Sequence, residues 1–276
     1  VQAMEMAIKK AESYDVGIVC VRNSHHFGAA GYYAEIAARQ GFIGIVTTST
    51  RGISMVPTRG TQPVLGTNPF AFAAPAGKYD PLVLDFATTV AAVNKVKVRK
   101  LRELQLPDGW VNDGDGRTIF DPNEAIRIFE NKSFGGLNPV GGIGETLGGH
   151  KGYGLAVFSH ILSGAMPGAS FSPVRVKNSN ADTPDDLGHY FQAINPESFR
   201  TKEEYENDIE VVIETLRSVK PSDPDKPVLV PGEPEQISRK DRQKNGIPVN
   251  RNLRNLIKEI AQNAGVEYFL VNNTTP

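Results

Sequence analysis

The chain has 276 residues, 39% of them hydrophobic and 22% charged, enough apolar material for one large core or two smaller ones. A formal net charge of -1 and a sequence pI near 6.6 exclude a sequence-independent electrostatic hold on nucleic acid or on an anionic membrane surface. The longest apolar stretches are broken by glycine and polar residues well short of a bilayer span, and the single Cys20, set in a predicted strand, reads as a small buried hydrophobe in a reducing, cytoplasmic compartment.

The sequence starts with Val1, directly in a helical pattern with Ala3, Met4, Ala7, Ile8 and Ala11 on one face. It has no uninterrupted apolar region of the signal-peptide kind, and a start inside an amphipathic helix reads as that of a fragment. Residues 16–50 follow as strand, polar loop, helix and strand. The apolar run 17–21 is broken by polar and glycine residues 22–31, an amphipathic segment 32–40 is stopped by Gly41, and a second apolar run covers 42–46. Loops leaving the carboxyl end of a strand are favoured places for ligand chemistry, and this one carries His25 and His26 beside Gly28.

Residues 51–60 are loop-like, and 65–75 read as a bent strand entry around the turn dipeptide Asn68-Pro69. A strand at 82–86 ends on Asp85 and Phe86, and Thr88 or Thr89 offers an N-cap for a helix to about Leu101. A hairpin or loop at 109–118 and a short helix at 123–131 come next. A glycine-rich tract over 135–154 then feeds a hydrophobic helix from about Tyr153 to Met166, with Leu155, Phe158, Leu162 and Met166 in phase. Residues 169–186 read as polar loop with one strand at 174–176, and 188–194 alternates as a strand. Thr201 and Glu204 form a capping box ahead of a helix whose apolar face is Tyr205, Ile209, Val212, Leu216 and Val219. A proline-rich connector over 220–234 and a helix at 250–264, ended by Gly265, complete the chain.

Several motif matches fail on chemistry. Asp113, Asp115 and Glu124 have part of a calcium-loop spacing, but Arg117 and Thr118 stand where an oxygen ligand and a glycine are needed. In the tract before Lys151, His150 separates glycine from lysine and no Ser or Thr follows, which argues against a nucleotide triphosphatase. No G-x-G-x-x-G follows a predicted strand. The glycosylation patterns at Asn131 and Asn273 carry no meaning without a secretory signal. Neighbouring histidines on extended chain point to opposite faces, and nothing around His25 and His26 completes a metal set, so no metal is expected. An imidazole titrates near neutrality and can exchange a hydroxyl proton; that role competes evenly with a histidine that only hydrogen-bonds its loop. Asp85 suits ribose hydroxyls or the orientation of a proton-transfer group as well as it suits a helix cap. Lys151 stands before a helix where backbone amides and the helix dipole suit a phosphate, although a solvated loop lysine accounts for it by itself. His160 reads as a packed core residue, as do Phe70, Phe72 and Phe86.

Six segments in order, NSHHFGAAGYYAEIAARQGFIGIV, LGTNPFAFAAP, VLDFATT, GGHKGYGLA, LGHYFQAINPESF and VPGEPE, resemble the type 2 malate/L-lactate dehydrogenase family, and the likeness runs from Val1 to about Leu256. Ureidoglycolate, sulfolactate and 2,3-diketogulonate enzymes belong to that family. The resemblance implies an α/β (α+β) fold with a mixed, largely antiparallel sheet, flanking helices and a non-Rossmann dinucleotide site, which agrees with the missing glycine fingerprint. It implies a core over 16–195, with 1–15 and 196–276 as helical segments packed on it, the remnant of a second helical domain. His26, Phe27, Gly28, Ala29 and Ala30 map to the cofactor and active centre, where the histidine is proton acceptor in some members and cofactor contact in others. Thr67 maps to a substrate contact, and Thr50, Asp85, Phe86, Ala87, His150, Lys151, Gly232 and Glu233 map to cofactor contacts. The cofactor implied is NAD or NADP, the substrate a small 2-hydroxy acid or its 2-oxo partner, and the assembly a homodimer. Family members carry an S-H-G segment and a downstream arginine that this sequence lacks, residues 138–146 are longer than the compact loop expected, and Ser49-Thr50 replaces the usual Asn-Ser. The reading is therefore a hydride-transferring dehydrogenase; the alternative is an inactive homologue that acts as a dinucleotide-binding or oligomerisation module.

Overall fold

The computed structural model describes residues 1–174 and 183–270. Its main sheet has five strands in the order β1-β7-β2-β3-β4, where β1 is Val16–Ser24, β2 Ile43–Thr48, β3 Phe70–Ala74, β4 Leu82–Phe86 and β7 Leu187–Ile194, and each strand is antiparallel to its neighbours. Strand β7, late in sequence, lies between β1 and β2 and pairs with both.

The register explains how tightly helices α1 (Gln2–Tyr14) and α2 (Ala30–Arg39) cover one face. Gly17, Ala193, Gly44 and Ala73 stand side by side across four strands. Opposite them the helices present the fully buried Ala7, Ala11, Ala34 and Ala37. A Cβ on Gly17 would lie 1.8 Å from the Ala7 carbonyl oxygen, and one on Gly44 2.5 Å from that of Ala34. The next row on this face is Val19, Phe191, Val46, Ala71 and Asp85, and above it come Val21, His189 and Thr48. A period of two along each strand thus places Asp85 and His189 at the border of the core.

On the other face lies α5 (Gly149–His160), which runs on into a π-helical turn, Ile161–Ala165. The sequence pattern put Leu155, Phe158, Leu162 and Met166 inward. The structure reverses that orientation: Gly149, Gly152, Ala156, Ser159 and Ser163 are buried, while Phe158 is 45% and Met166 52% exposed. Backbone approach decides it. A Cβ on Gly152 would meet the Val140 carbonyl oxygen at 2.2 Å, and one on Gly188 the Ser163 carbonyl oxygen at 1.8 Å, so only small side chains fit at these contacts.

A satellite core of Ala91, Val96, Leu106, Val111, Ile119, Ala125 and Leu137 joins α3 (Val93–Leu101), α4 (Pro122–Asn131) and a short two-stranded antiparallel sheet of β5 (Val111–Asn112) and β6 (Gly136–Leu137). Helix α6 (Lys202–Ser218) starts with the expected reciprocal capping box of Thr201 and Glu204, buries Ile213 against Ala76 and Val230, and is tied by Glu210 and Glu214 to Lys78. Its Val212, Leu216 and Val219 are exposed instead of packed. Helices α7 (Glu233–Asn245) and α8 (Arg251–Ala264) follow, the second with its cap at Asn250 and its stop at Gly265 as expected.

Other expectations are corrected. Neither Thr88 nor Thr89 caps α3: the Thr88 hydroxyl donates to the Thr67 carbonyl, that of Thr89 to Ala91, and Ala92 holds the cap position. Cys20 is exposed, on the face of β1 away from α1 and α2. Helix α5 begins four residues before Tyr153, which puts His150 and Lys151 inside its first turn. The strand expected at 174–176 falls mostly outside the described residues, and Val174 closes a helical turn; Asn273 lies outside them as well.

Candidate active site

The antiparallel order gathers the carboxyl ends of β1, β2 and β4 and the amino ends of β3 and β7 on one edge of the sheet. The loop 25–29 crosses that edge and runs into α2. Phe27 anchors it between two rings: Tyr33 stacks at 4.8 Å and His189 at 4.3 Å with 4° between the planes. The Tyr33 hydroxyl also donates to the Phe27 carbonyl at 2.6 Å. His189 is 3% exposed and bonded through Nδ1 to the Thr48 hydroxyl at 2.6 Å. Burial pushes its pKa down to about 4, against the opposing pull of the His25 backbone, so the ring is neutral at physiological pH.

The adjacent histidines hold different bonds. His25 Nδ1 faces an Asp185 carboxylate oxygen at 3.1 Å, and Arg51 Nε stands 3.0 Å from the other oxygen. A carboxylate only accepts, so His25 carries hydrogen on Nδ1 and keeps Nε2 as an acceptor. His26 is the reverse: the Gly28 amide donates to its Nδ1 at 3.2 Å, which leaves the hydrogen of the neutral ring on Nε2. The positive φ of Gly28, 89°, makes the turn that brings this amide round. The exposed pair thus offers one acceptor and one donor nitrogen on neighbouring residues.

On the far side of the loop, a cavity of about 620 Å³ opens between the start of α2, strand β4 and residues 229–236. Ala29, Gly31, Tyr32, Asp85, Gly232 and Glu235 are among its walls. Asp85 accepts the Gly31 amide at 2.8 Å, and a Cβ on Gly31 would sit 2.8 Å from the Asp85 Cβ, so helix and strand touch here through glycine alone. Desolvation raises the Asp85 pKa above its ordinary value; the Gly31 amide works against this and the Glu235 carboxylate adds to it. The Val83 amide donates to the Pro231 carbonyl at 3.1 Å, so the segment 229–232 covers the free edge of β4, and Gly232 at φ 97° leaves room against Val83.

The remaining residues singled out by sequence divide. Glu233 faces out of the cavity: its carboxylate pairs with Arg217 and accepts the Val230 amide at 2.6 Å. Phe86 lies on the opposite sheet face against Phe70, 5.9 Å between ring centroids, and Ala87 follows it at the sheet edge. The Thr50 hydroxyl donates to Asn68 Oδ1 at 3.1 Å, next to Thr67, whose carbonyl takes both the amide and the hydroxyl of Thr88. His150 and Lys151 are exposed in the first turn of α5, which Gly152 pins to Val140 beside Thr88; they do not line the Asp85 cavity. His160 is half-buried against Phe171, and burial lowers its pKa. Asp113 turns its Oδ1 onto the amides of Asp115 and Arg117, which is turn chemistry. Among the described residues, no group of three or more His, Cys, Asp or Glu is placed to hold a metal ion, and no helix is long and apolar enough to cross a membrane. Sequence reasoning missed Asp185 and His189, both distant in the chain from the loop they contact.

Known proteins share this fold and much of its sequence. The chain is 39% identical over 266 residues to a malate dehydrogenase of Pyrococcus horikoshii, an alignment that spans 96% of this chain and 71% of that protein. It is 37% identical over 265 residues to an L-sulfolactate dehydrogenase of Methanocaldococcus jannaschii, over 96% of this chain and 72% of the relative. The crystal structure of malate dehydrogenase from Entamoeba histolytica superposes with a TM-score of 0.89 at 33% identity, covering 97% of this chain and 73% of that one. The family model described as malate/L-lactate dehydrogenase matches residues 1–258, and the chain belongs to that family.

Proposed function

We propose that this protein is an NAD(P)-dependent oxidoreductase that moves a hydride between the nicotinamide dinucleotide and the α-carbon of a small 2-hydroxy acid of the malate or lactate type. One observation carries the reading most of the way: the histidine loop and the wall of the cavity are consecutive residues, His26 to Gly31, running from the loop into the first turn of α2. A ligand seated beside Asp85 therefore has its other end led towards His26. The cavity fits a dinucleotide half in size, and the close approaches at Gly31 and Gly232 leave the space that any larger side chain would fill. The dinucleotide supplies the hydride chemistry; the protein supplies orientation and the proton.

In this reading Asp85 would accept ribose hydroxyls, the first turn of α2 would hold the diphosphate, and the His25–His26 pair would meet the reacting oxygen, with Thr67 on the substrate side. In the reducing direction His26 Nε2–H would hydrogen-bond the keto oxygen and, from the imidazolium form, give it the proton, leaving a neutral ring with hydrogen on Nδ1; in the oxidising direction that neutral form would take the hydroxyl proton at Nε2. Both transfers put hydrogen on Nδ1 and so require the Gly28 bond to open, and at 3.2 Å that bond is at the long end for an N–H donor. The exposed apolar face of α5 and its π turn, with Phe158, Ile161 and Met166, is the surface a second copy of the chain would cover in a homodimer.

Asp85→Asn tests the cavity. Because the folded pKa of Asp85 is raised, its ionised form is less favourable in the folded than in the unfolded chain; its contribution to stability is present below the ordinary carboxylate pKa and lost as pH rises through the folded value. The amide keeps an acceptor for Gly31 and removes this cost, so the melting temperature holds or rises at neutral pH. NADH affinity falls about 10- to 100-fold, the scale of a lost hydrogen bond to a charged group. In the parent protein, affinity tightens as pH rises through the Asp85 titration, which burial raises above its ordinary value, because the ligand takes the ionised form. NADH fluorescence titration and thermal melts read both; unchanged NADH affinity in Asp85→Asn removes the dinucleotide from this cavity.

A further inference from the structure

The loop that bears both histidines is short and exposed, and besides the Tyr33 hydroxyl on the Phe27 carbonyl and His25 on Asp185 it is held to the sheet by one aromatic side chain, Phe27. Phe27 is the middle ring of three. Tyr33 comes from α2, directly downstream, whereas His189 comes from β7, more than half the chain away. The outer ring of this stack is itself fixed. Thr48 on the neighbouring strand bonds His189 Nδ1, and Ser49 and Gly188 lock β2 to β7 on either side through the Gly188 amide on Ser49 Oγ at 2.8 Å and the Ser49 amide on the Gly188 carbonyl at 2.9 Å. The Thr48 hydroxyl lies 2.6 Å from His189 Nδ1, 2.7 Å from the Ser49 carbonyl and 3.2 Å from that of Gly188, and His189 Nε2 has no hydrogen bond of ordinary geometry. A buried polar atom without a partner costs stability, and phenylalanine at this position would avoid that cost. The structure keeps a histidine whose ring is both flat against Phe27, with 4° between planes, and hydrogen-bonded from its edge so that it cannot rotate.

We propose that His189 is a positioning residue that sets the His25–His26 loop by clamping Phe27 against Tyr33. It touches neither substrate nor cofactor in this account. Its effect on chemistry passes through Phe27 to the adjacent His26, and that part rests on the function proposed above; the clamp itself does not.

Amide hydrogen exchange of the whole protein tests the clamp without turnover. His189→Asn keeps a group able to bond Thr48 and removes the ring; His189→Phe keeps the ring and removes the bond. An aromatic stack of this kind is worth a factor of about 3 to 10 in local opening. The amides of residues 26–29 therefore exchange faster by about that factor in His189→Asn, relative to core amides such as those of Val46 and Ala71, and by less in His189→Phe, which keeps the stack without the Thr48 bond that fixes it. If His189→Asn fails to fold, Phe27→Leu reads the same stack from its other side with the same expected factor. Equal exchange of the loop in parent and ring-deleted variants, or a uniform rise across loop and core, overturns the clamp. Where the parent turns over a hydroxy acid, kcat per folded molecule falls in His189→Asn and recovers in His189→Phe, with KM for NADH within about twofold. A parent protein that binds and oxidises no NADH overturns the dehydrogenase reading instead, and the exchange data still decide the clamp.

Discussion

His26→Ala is expected to lower kcat for 2-oxo acid reduction by about 100-fold or more, the range for loss of a positioned acid–base group, while the melting temperature stays near that of the parent. The asymmetry follows from where the side chain sits. His26 is exposed and makes one intraloop hydrogen bond, to the Gly28 amide, which water replaces at little cost when the ring is gone. The loop keeps its course because its anchor is Phe27, stacked between Tyr33 and His189. What is lost is the Nε2–H donor at the edge where the strand ends converge. NADH affinity should change little, because the Asp85 cavity is untouched. Steady-state NADH oxidation, NADH titration and a thermal melt on the same preparation separate these terms, and turnover within threefold of the parent places the proton elsewhere, with His25 and its Asp185 partner the next residues to replace.

The largest effect on stability is expected from the addition of one methyl group. Gly17→Ala sets a Cβ 1.8 Å from the Ala7 carbonyl oxygen and 2.8 Å from the Lys10 Cβ, and the neighbours are the backbone and stem of a helix already in contact with the sheet. Neither side has a flexible end to move. Overpacking of a rigid contact costs about 3 kcal/mol or more. That is a fall in melting temperature on the order of 6–12 °C for a chain of this size. Gly154→Ala is the control: it lies within α5 with nothing inside 4 Å of the added carbon, and is expected to be neutral or to stabilise by about 0.5–1 kcal/mol. Equal melting temperatures for Gly17→Ala and Gly154→Ala would contradict the close helix–sheet packing.

Much of this fold is written locally. The stripe Met4, Ala7, Ile8 and Ala11, the strand 82–86, the Thr201–Glu204 box and the stop at Gly265 all appear where the sequence places them, because each depends on residues within a turn or two of one another. The orientation of α5 was not legible, since its buried side is set by backbone approaches at Gly152 and Gly188 that no hydrophobic period records. Helix α7 escaped notice for a similar reason: it has no buried residue, and its polar sequence is supported by acidic residues in its first turn and basic ones in its last. At the site, the histidine loop and Asp85 could be picked out from their place at strand ends. Their partners could not. Asp185 reaches His25, and His189 reaches Phe27, only because β7 inserts between β1 and β2, a pairing that depends on the whole sheet. Glu233 stands apart from them, its carboxylate paired with Arg217 and accepting the Val230 amide.

The most direct measurement is transfer of label. The protein is incubated with a small 2-oxo acid and NADH deuterated on either face of the transferring carbon, and the product is read by mass spectrometry. One deuterium is expected on the α-carbon of the resulting 2-hydroxy acid from one of the two labelled cofactors. NADH that binds without any label reaching the acid, across malate-, lactate-, ureidoglycolate- and sulfolactate-type substrates, would contradict hydride transfer and leave a dinucleotide-binding module.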